Sequence, residues 1–339
     1  MFIRPGFAAT RNLITDVPGL SVGHAEDERI GSGATVVLFD RPAVASIAVH
    51  GGAPGLRDCA LLEPEMTVEK VDAITLSGGS VFGLDTMGGV VACLREAGRG
   101  FAVRDVNVPI VPGAVLFDLL NGGDKGWGRE PVYWHIGYHA AAAAAAEFRL
   151  GSVGAGLGAT TADLKGGLGS ASDITSSGFL VGALVAVNAL GQATIGDRPQ
   201  FWAAPFEKGT EFGGLGWPAT FDQGVPKIRI KGDTPENTTI GIVATDAALT
   251  KAQAKRLAVM AHDGMAQALR PAHAALDGDT IFSAATGTAL EPPSLRDLTE
   301  IGALAAECMA RAIARAIYEA TPLPFDGALP SWKQKFGGG

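Results

Sequence analysis

The sequence predicts an α/β protein folded as one interdigitated domain, and three observations carry that reading. Strand-like and helix-like stretches alternate on both sides of residue 238. The run 239–245 is so apolar that a strand formed there needs neighbours on both of its edges. The chain of 339 residues holds 47 glycines but only 7% aromatics, which suits tight packing with many short turns. A domain boundary at residue 238 would strand that apolar run, so one domain over 1–339 is expected, with a central sheet that draws on both parts.

The elements follow in order. Residues 34–40 and 44–49 are β-rich and separated by Arg41-Pro42, which predicts two adjacent strands. Residues 73–76 predict a strand running into Ser77-Gly78-Gly79-Ser80 and a helix over 81–97. An Ala-rich helix is predicted over 139–148, and 151–169 is glycine-rich with little periodicity. Strands are predicted at 179–187 and 192–195, joined at Asn188-Ala189-Leu190-Gly191. The polar, aromatic stretch 202–226 predicts a surface loop, followed by a short strand at 227–230. Beyond residue 238 come a strand at 239–245 and a helix at 250–269, N-capped by Thr250 with Gln253 at the third helical position. A strand at 281–285 and a long helix at 294–318, capped by Ser294, complete the order. The glycine tail 336–339 predicts flexibility.

Composition excludes several classes. At 47% hydrophobic and 18% charged residues the chain has ample core and is not disordered. The net charge of −8 comes without a basic block, which argues against nucleic acid as a partner. Cys59, Cys93 and Cys308 have no metal-ligand spacing, and an odd, low count fits a reducing compartment. The start, Met1 to Gly6, has no signal-peptide run, and the longest apolar stretch, 179–187, is too short to span a bilayer. A cytoplasmic protein is expected. Ser77-Gly78-Gly79-Ser80 lacks the Lys-Ser/Thr of a P-loop, and Gly154-Ala155-Gly156-Leu157-Gly158 lacks dinucleotide spacing. His135 and His139 stand at i,i+4 but without a Glu base or a third ligand, so no metal is expected. Cys93 and Cys308 fall among apolar residues and read as core.

One junction stands out. Thr238 heads a β-branched run directly after the polar, turn-rich Lys231-Gly232-Asp233-Thr234-Pro235. Cleavage of the Asn237–Thr238 bond would give Thr238 a free α-amine, which can act as base for its own hydroxyl. Such an amine has a pKa of roughly 7.7–8.0, so it can accept a proton near neutral pH. A β-branched residue opening a strand is the bland alternative, and Thr239 is a rival first residue.

Longer motifs carry a resemblance. Asn12-Leu13-Ile14-Thr15-Asp16-Val17-Pro18-Gly19-Leu20-Ser21-Val22-Gly23-His24 and Leu76-Ser77-Gly78-Gly79-Ser80-Val81-Phe82-Gly83-Leu84 resemble signatures of a self-processing peptidase family. That family includes β-peptidyl and D-aminopeptidases and nylon-oligomer hydrolases. Asn237-Thr238-Thr239-Ile240, Asp277-Gly278-Asp279-Thr280-Ile281-Phe282 and Phe201-Trp202-Ala203-Ala204-Pro205-Phe206-Glu207 are most similar to the branch that cuts 6-aminohexanoate (nylon-6) oligomers. The resemblance implies a four-layer αββα sandwich of N-terminal-nucleophile type, cleavage into 1–237 and 238–339, and a homotetramer.

The resemblance also implies roles. Thr238 is the nucleophile, and Asn237 supplies the carbonyl attacked during maturation. Asn188 holds the substrate carbonyl or oxyanion, an amide-donor role worth about 10²–10³ in rate. Lys165, in a glycine-rich setting, keeps the amine neutral or supports the oxyanion. Asp277 and Asp279 orient the nucleophile; one Asp-x-Asp lacks the other ligands of a calcium loop. Phe117 falls near a position where relatives carry Tyr, so a hydroxyl is missing if the registers match. The implied enzyme opens linear amide bonds through an acyl-enzyme with no cofactor or metal, acting on a small or oligomeric amide. Three alternatives stay open: an aminopeptidase on short peptides, a self-cleaving acyltransferase, and a non-catalytic binding protein.

Overall fold

The structure, a computed structural model, describes residues 11–221, 227–232, 237–289 and 291–337. The first residues Met1 to Gly6, Asp233 to Glu236 of the turn before Thr238, the end of the 202–226 loop and the last two glycines therefore lie outside the described residues. In chain order the elements are β1 Leu20–Asp27, β2 Ser32–Val49, β3 Gly55–Arg57, β4 Lys70–Ser77, α1 Thr86–Glu96, β5 Phe101–Val103, β6 Val106–Val108 and β7 Gly113–Val115. They continue as α2 Tyr133–Ala142, β8 Gly167–Ile174, β9 Leu180–Asn188, β10 Thr238–Thr245, α3 Lys251–Ala268, β11 Thr280–Ala285, α4 Leu295–Tyr318 and α5 Trp332–Phe336.

Nine strands form one hydrogen-bonded sheet in the order β3-β7-β4-β2-β11-β10-β9-β8, with β1 also on β2, while β5 and β6 make a separate ribbon. The long β2 is the fold's pivot. One edge pairs with β4; the other pairs first with β1 over Ser32–Phe39 and then with β11 over Val44–Val49. The register shifts between Leu38 and Ala43, where Asp40, Arg41 and Pro42 are exposed. Pro42 has no N–H for the ladder, so the strand bends there rather than ending.

The bend folds the sheet over itself, and the described residues form four cores, of which the smallest gathers Ile30, Ala34, Tyr133 and Ile136. Alternate residues of β9 separate cleanly, as a strand buried on both faces demands. Val181, Ala183, Val185 and Val187 pack with α3 and α4, in company with Met265, Met309 and Ile313. Leu180, Leu184 and Ala186 pack with Val37, Phe39, Ile74 and Leu76 across the middle. Outside β2 and β4, Val36 and Ala73 meet Met87, Val90 and Leu94 of α1 and Ala140 of α2. The layers are therefore helix, sheet, sheet, helix. β10 is central, antiparallel to β9 and parallel to β11, so the strand after Asn237 sits between strands from both parts of the chain.

Several local expectations change. The two strands predicted around Arg41-Pro42 are one. The helix predicted over 81–97 opens as a 3-10 turn, Ser80–Asp85, before α1. The Ala-rich helix starts earlier and stops at Ala142, because Ala145 leaves to pair with Val22 through N–H···O bonds of 3.0 and 2.9 Å. The glycine-rich stretch ends in β8, whose Gly-Leu-Gly-Ser-Ala-Ser run carries no β-branched signal. Residues 192–195 make only isolated bridges, and 227–230 form no strand. Cys93 is half-buried on α1, whereas Cys308 is fully buried. The caps at Thr250 and Ser294 both form as full capping boxes. No helix among the described residues is long and apolar enough to cross a membrane.

Candidate active site

The parallel ladder between β10 and β11 explains why an Asp-Gly-Asp segment belongs beside Thr238. Ile240 pairs with Thr280, and an isolated parallel bridge joins Asn237 to Asp277. Counting along this register sets Thr238 across from Gly278 and Thr239 across from Asp279. A Cβ on Gly278 would lie 2.6 Å from Thr238 Oγ1. Glycine there makes the room in which the hydroxyl sits.

Thr238 and Asn237 are both buried. Thr238 Oγ1 donates to the carbonyl oxygen of Asn237 at 2.5 Å, and Gly278 N–H donates to the same oxygen at 2.9 Å. The hydroxyl thus stands against its own upstream peptide while a backbone donor polarises that carbonyl. The Asn237 side chain is buried, with no partner for either amide atom among the described residues.

The two carboxylates differ. Asp279 Oδ1 accepts from Thr239 N–H at 2.9 Å, and Oδ2 accepts from His273 N–H at 2.8 Å and Nδ1 at 2.9 Å. Asp277 Oδ2 accepts from Ala274 N–H at 3.2 Å, the backbone N–H of Leu190 also acts on this carboxylate, and Oδ1 has no hydrogen bond of full geometry among the described residues. Burial, then the neighbouring charge of Asp279, push Asp277 up to about 7. Burial alone would lower His273; its hydrogen bond to Asp279 and that carboxylate's charge outweigh it, and the imidazole is raised. The backbone of 277–279 is clamped from the far side as well. His50 N–H and Gly51 N–H donate to Asp279 O, and Ala53 N–H donates to Asp277 O at 2.8 Å.

On the other flank, Asn188 pairs directly with Thr238 across β9 and β10. Its Oδ1 accepts from Thr160 N–H and Lys231 Nζ, both at 3.0 Å, and its Nδ2 donates to Phe117 O at 2.9 Å. One Nδ2 hydrogen carries that bond, leaving the second for another acceptor. Lys165 is fully buried, and its Nζ donates to the carbonyls of Gly156, Ala159 and Gly166 at 2.8–2.9 Å. Burial pushes its pKa down to about 7, with Asp118 acting to raise it. Three donated bonds need three N–H groups, so this clamp is complete only as the ammonium. Lys165 therefore grips the glycine-rich loop that carries Thr160, and reaches Asn188 through it.

Phe117 lies where two cavities meet. A 310 Å³ cavity beside Thr238 is lined by Ala53, Ser80, Val81, Leu84, Val115 and Leu276 among others, with no ionisable side chain among the described residues. A 270 Å³ cavity on the opposite side of Phe117 holds Asp118, Lys165, Lys231 and Asp326. The close packing expected at Ser77-Gly78-Gly79-Ser80 is present: a Cβ on Gly78 would meet Asp118 Oδ2 at 2.2 Å, and one on Gly79 the Tyr133 ring at 2.1 Å. His135 and His139 share the exposed face of α2, away from these residues.

Thr238, Asn237, Asn188, Asp277 and Asp279 come together; Lys165 stands one layer behind, and Phe117 walls the cavities. Sequence reading missed Gly278, His273 and Lys231. Gly278 was visible as the middle of Asp-Gly-Asp, but its purpose emerges only from the β10–β11 register. His273 and Lys231 had no local signal, since their partners lie elsewhere in the chain or on the far side of a turn.

Comparison with known proteins gives one family. The model described as peptidase family S58 matches residues 12–328. A protein of Mycobacterium bovis named as an uncharacterized aminopeptidase is 40% identical, covering 96% of this chain and 98% of its own. A 6-aminohexanoate-oligomer endohydrolase of an Agromyces species is 27% identical, covering 89% of this chain and 84% of its own. Among solved structures, the L-aminopeptidase D-Ala-esterase/amidase of Ochrobactrum anthropi, described as a variant of the Ntn-hydrolase fold, superposes with a TM-score of 0.69. It is 20% identical and covers 98% of this chain and 96% of that one. That likeness bears on the fold, and agrees with the four layers above.

Proposed function

The chain belongs to peptidase family S58 and is a hydrolase of amide bonds; from that premise we propose an N-terminal-threonine enzyme that matures by cutting its own Asn237–Thr238 bond. The observation that carries the reading is the pair of donors, Thr238 Oγ1 and Gly278 N–H, on the Asn237 carbonyl oxygen. Attack of Oγ1 on that carbonyl carbon, with Gly278 N–H stabilising the oxyanion, transfers the acyl group from nitrogen to oxygen. Water then hydrolyses the ester, leaving a carboxylate on Asn237, the hydroxyl on Thr238 and a free α-amine.

In the mature enzyme the amine takes the hydroxyl proton as Oγ1 attacks the substrate carbonyl, and passes it to the leaving amine. Water releases the acyl group by the reverse path. Asp277, with an oxygen that has no hydrogen bond of full geometry among the described residues, receives the new ammonium. Asp279 fixes Thr239 and so the head of β10. The second Nδ2 hydrogen of Asn188 serves the oxyanion. Lys165 positions Asn188 through the glycine-rich loop. A homotetramer belongs to the same reading and is checked by light scattering.

The cavity beside Thr238 supports an uncharged acyl group, since no ionisable side chain lines it among the described residues. Internal amides of 6-aminohexanoate oligomers, flanked by methylene chains, fit that chemistry. The name of the mycobacterial relative favours a second reading, an aminopeptidase, which needs an acidic partner for the substrate's ammonium. Denatured intact mass with N-terminal sequencing tests maturation: two fragments, the smaller starting Thr-Thr-Ile-Gly, are expected. One persistent uncut mass overturns it and returns the binding-protein alternative. Cleavage of N-acetylated oligomers at internal bonds separates the substrate readings; cutting only from a free amino end selects the aminopeptidase. Transfer of the acyl group to an added amine in preference to water would select the acyltransferase.

A further inference from the structure

We propose that His50, His262 and His273 form a binding site for a borderline divalent cation of the zinc class, behind the carboxylate that steadies the head of β10. Each imidazole offers one ring nitrogen, and these nitrogens lie within 4.8 Å of one another. Tetrahedral zinc with Zn–N of 2.0–2.1 Å sets its ligands about 3.4 Å apart. The site closes by a shift of roughly 1.4 Å, within reach of side-chain rotation.

Two of the rings are already held as ligands are held. Metal-bound imidazoles anchor their outer nitrogen on a carboxylate or backbone carbonyl, which fixes the tautomer and aims the inner nitrogen. His273 places Nδ1 on Asp279 Oδ2 at 2.9 Å, and the backbone of His262 also draws on this imidazole, so binding an ion means turning Nε2 away from that backbone. His262, on α3, places Nε2 on the carbonyl of Ala48 at 2.9 Å; its Nδ1 is buried with no partner among the described residues. A buried ring nitrogen without a donor is the kind of orphan that an ion would satisfy.

The third ring is the movable one. His50 follows β2, is exposed, and stacks on His262 with centroids 3.8 Å apart at 17°. Parallel stacked rings cannot direct nitrogens at one ion, so His50 must turn its edge inward; at the surface nothing in the core has to move with it. That exposure also gives the ion its way in, and water takes the fourth position of an open three-histidine site. Asp263 and Asp279 act on His50 in a cation's favour, while Lys255 and, more strongly than either aspartate, His273 oppose it; the His273 charge is absent when that ring serves as a neutral ligand. Imidazole sets suit zinc, copper and nickel over magnesium or calcium.

Occupancy would lock the ring that holds Asp279, whose other oxygen holds Thr239 N–H. The ion would therefore stiffen the head of β10 without touching the reacting atoms. The test is calorimetric titration of Zn²⁺ into the tag-free, metal-stripped full chain, with Co²⁺ absorption as the geometric readout. One ion per chain and tetrahedral cobalt bands are expected. His50→Ala should weaken binding at least tenfold and leave the fold intact, because His50 is exposed. His262→Ala should abolish the cobalt bands; if that variant does not fold, His50→Ala decides alone. His135→Ala removes the exposed i,i+4 pair on α2 and should leave binding unchanged. No binding, or binding lost in His135→Ala and kept in His50→Ala, overturns the site. Repeating the titration on Thr238→Ala makes the result independent of maturation.

Discussion

Thr238 has two flanks, and they are built on opposite principles. On the β11 side, Asp277 and Asp279 come within the ladder of the nucleophile, and one carboxylate oxygen has no hydrogen bond of full geometry among the described residues. On the β9 side, Lys165 is buried as deeply, yet every donor it owns is matched by a carbonyl. A satisfied buried charge is scaffold; an unsatisfied one next to a hydroxyl is a place where charge is due to appear. Burial alone would have ranked the two flanks equally.

The most severe way to break the comparison is to remove what both flanks serve. Thr238→Ala should leave a single uncut chain and lower amide hydrolysis by at least about 10⁴-fold, while Thr238→Ser should still cut itself. Mass spectrometry and an amide turnover assay read both. A cleaved, active Thr238→Ala protein would move the nucleophile to another residue.

Next in size is the β11 flank's clearance. Gly278 has no left-handed backbone to protect, so alanine is excluded only by its Cβ, 2.6 Å from Thr238 Oγ1 and 2.9 Å from Ala53 O. Displacing a nucleophile by about 1 Å can lower the rate 10²-fold. Gly278→Ala should therefore fold, judged by circular dichroism, and mature about 10²-fold more slowly. Wild-type maturation in that variant would mean that the gap beside Thr238 is incidental.

The β9 flank predicts a smaller and different effect. Lys165→Met exposes three carbonyls to an apolar neighbour and should lower stability by about 2–3 kcal/mol in urea unfolding. Its kinetic effect, about tenfold, should run through the loop to Asn188. The Lys165→Met, Asn188→Ala double variant should then be no slower than Asn188→Ala alone. Multiplying effects would mean that Lys165 touches the reacting atoms itself.

How much of this was legible beforehand follows the same division. Local signals were readable: the capping boxes at Thr250 and Ser294, the apolar β10, and Thr238 after a polar turn are all written in consecutive residues. Motif resemblance gathered Asn188, Asp277 and Asp279 around Thr238, and the ladders supply the reason, since Thr238 pairs with Asn188 on one side and faces Gly278 on the other. What stayed hidden depends on long-range geometry. The bend that makes one β2 out of two runs and the strand β8 built of small residues are fixed by neighbours far away in sequence, and His273 meets Asp279 only through the turn between them. Lys165 shows the limit: its glycine-rich setting marked it as special, but only the three carbonyls tell that it clamps the loop.

The finest test uses pH, because burial shifts the two flanks in opposite directions. In the uncut Thr238→Ala chain, Asp277 sits near 7 when folded and near 3.8 when unfolded. The folded state then holds more protons between those values, so this group's stabilisation is complete below about 4 and is lost as pH rises through 7. Lys165, lowered from 10.5 to about 7 by burial, would add the reverse slope, stability rising from pH 7 to 10.5, were its ammonium not held by three carbonyls. Adding Asp277→Asn to Thr238→Ala should flatten the loss between pH 5 and 8 by on the order of 1 kcal/mol in urea unfolding. Parallel pH profiles for the two proteins would mean that Asp277 is ionised throughout. The carboxylate would then already be balanced before any α-amine exists, and the contrast between the two flanks would reduce to geometry.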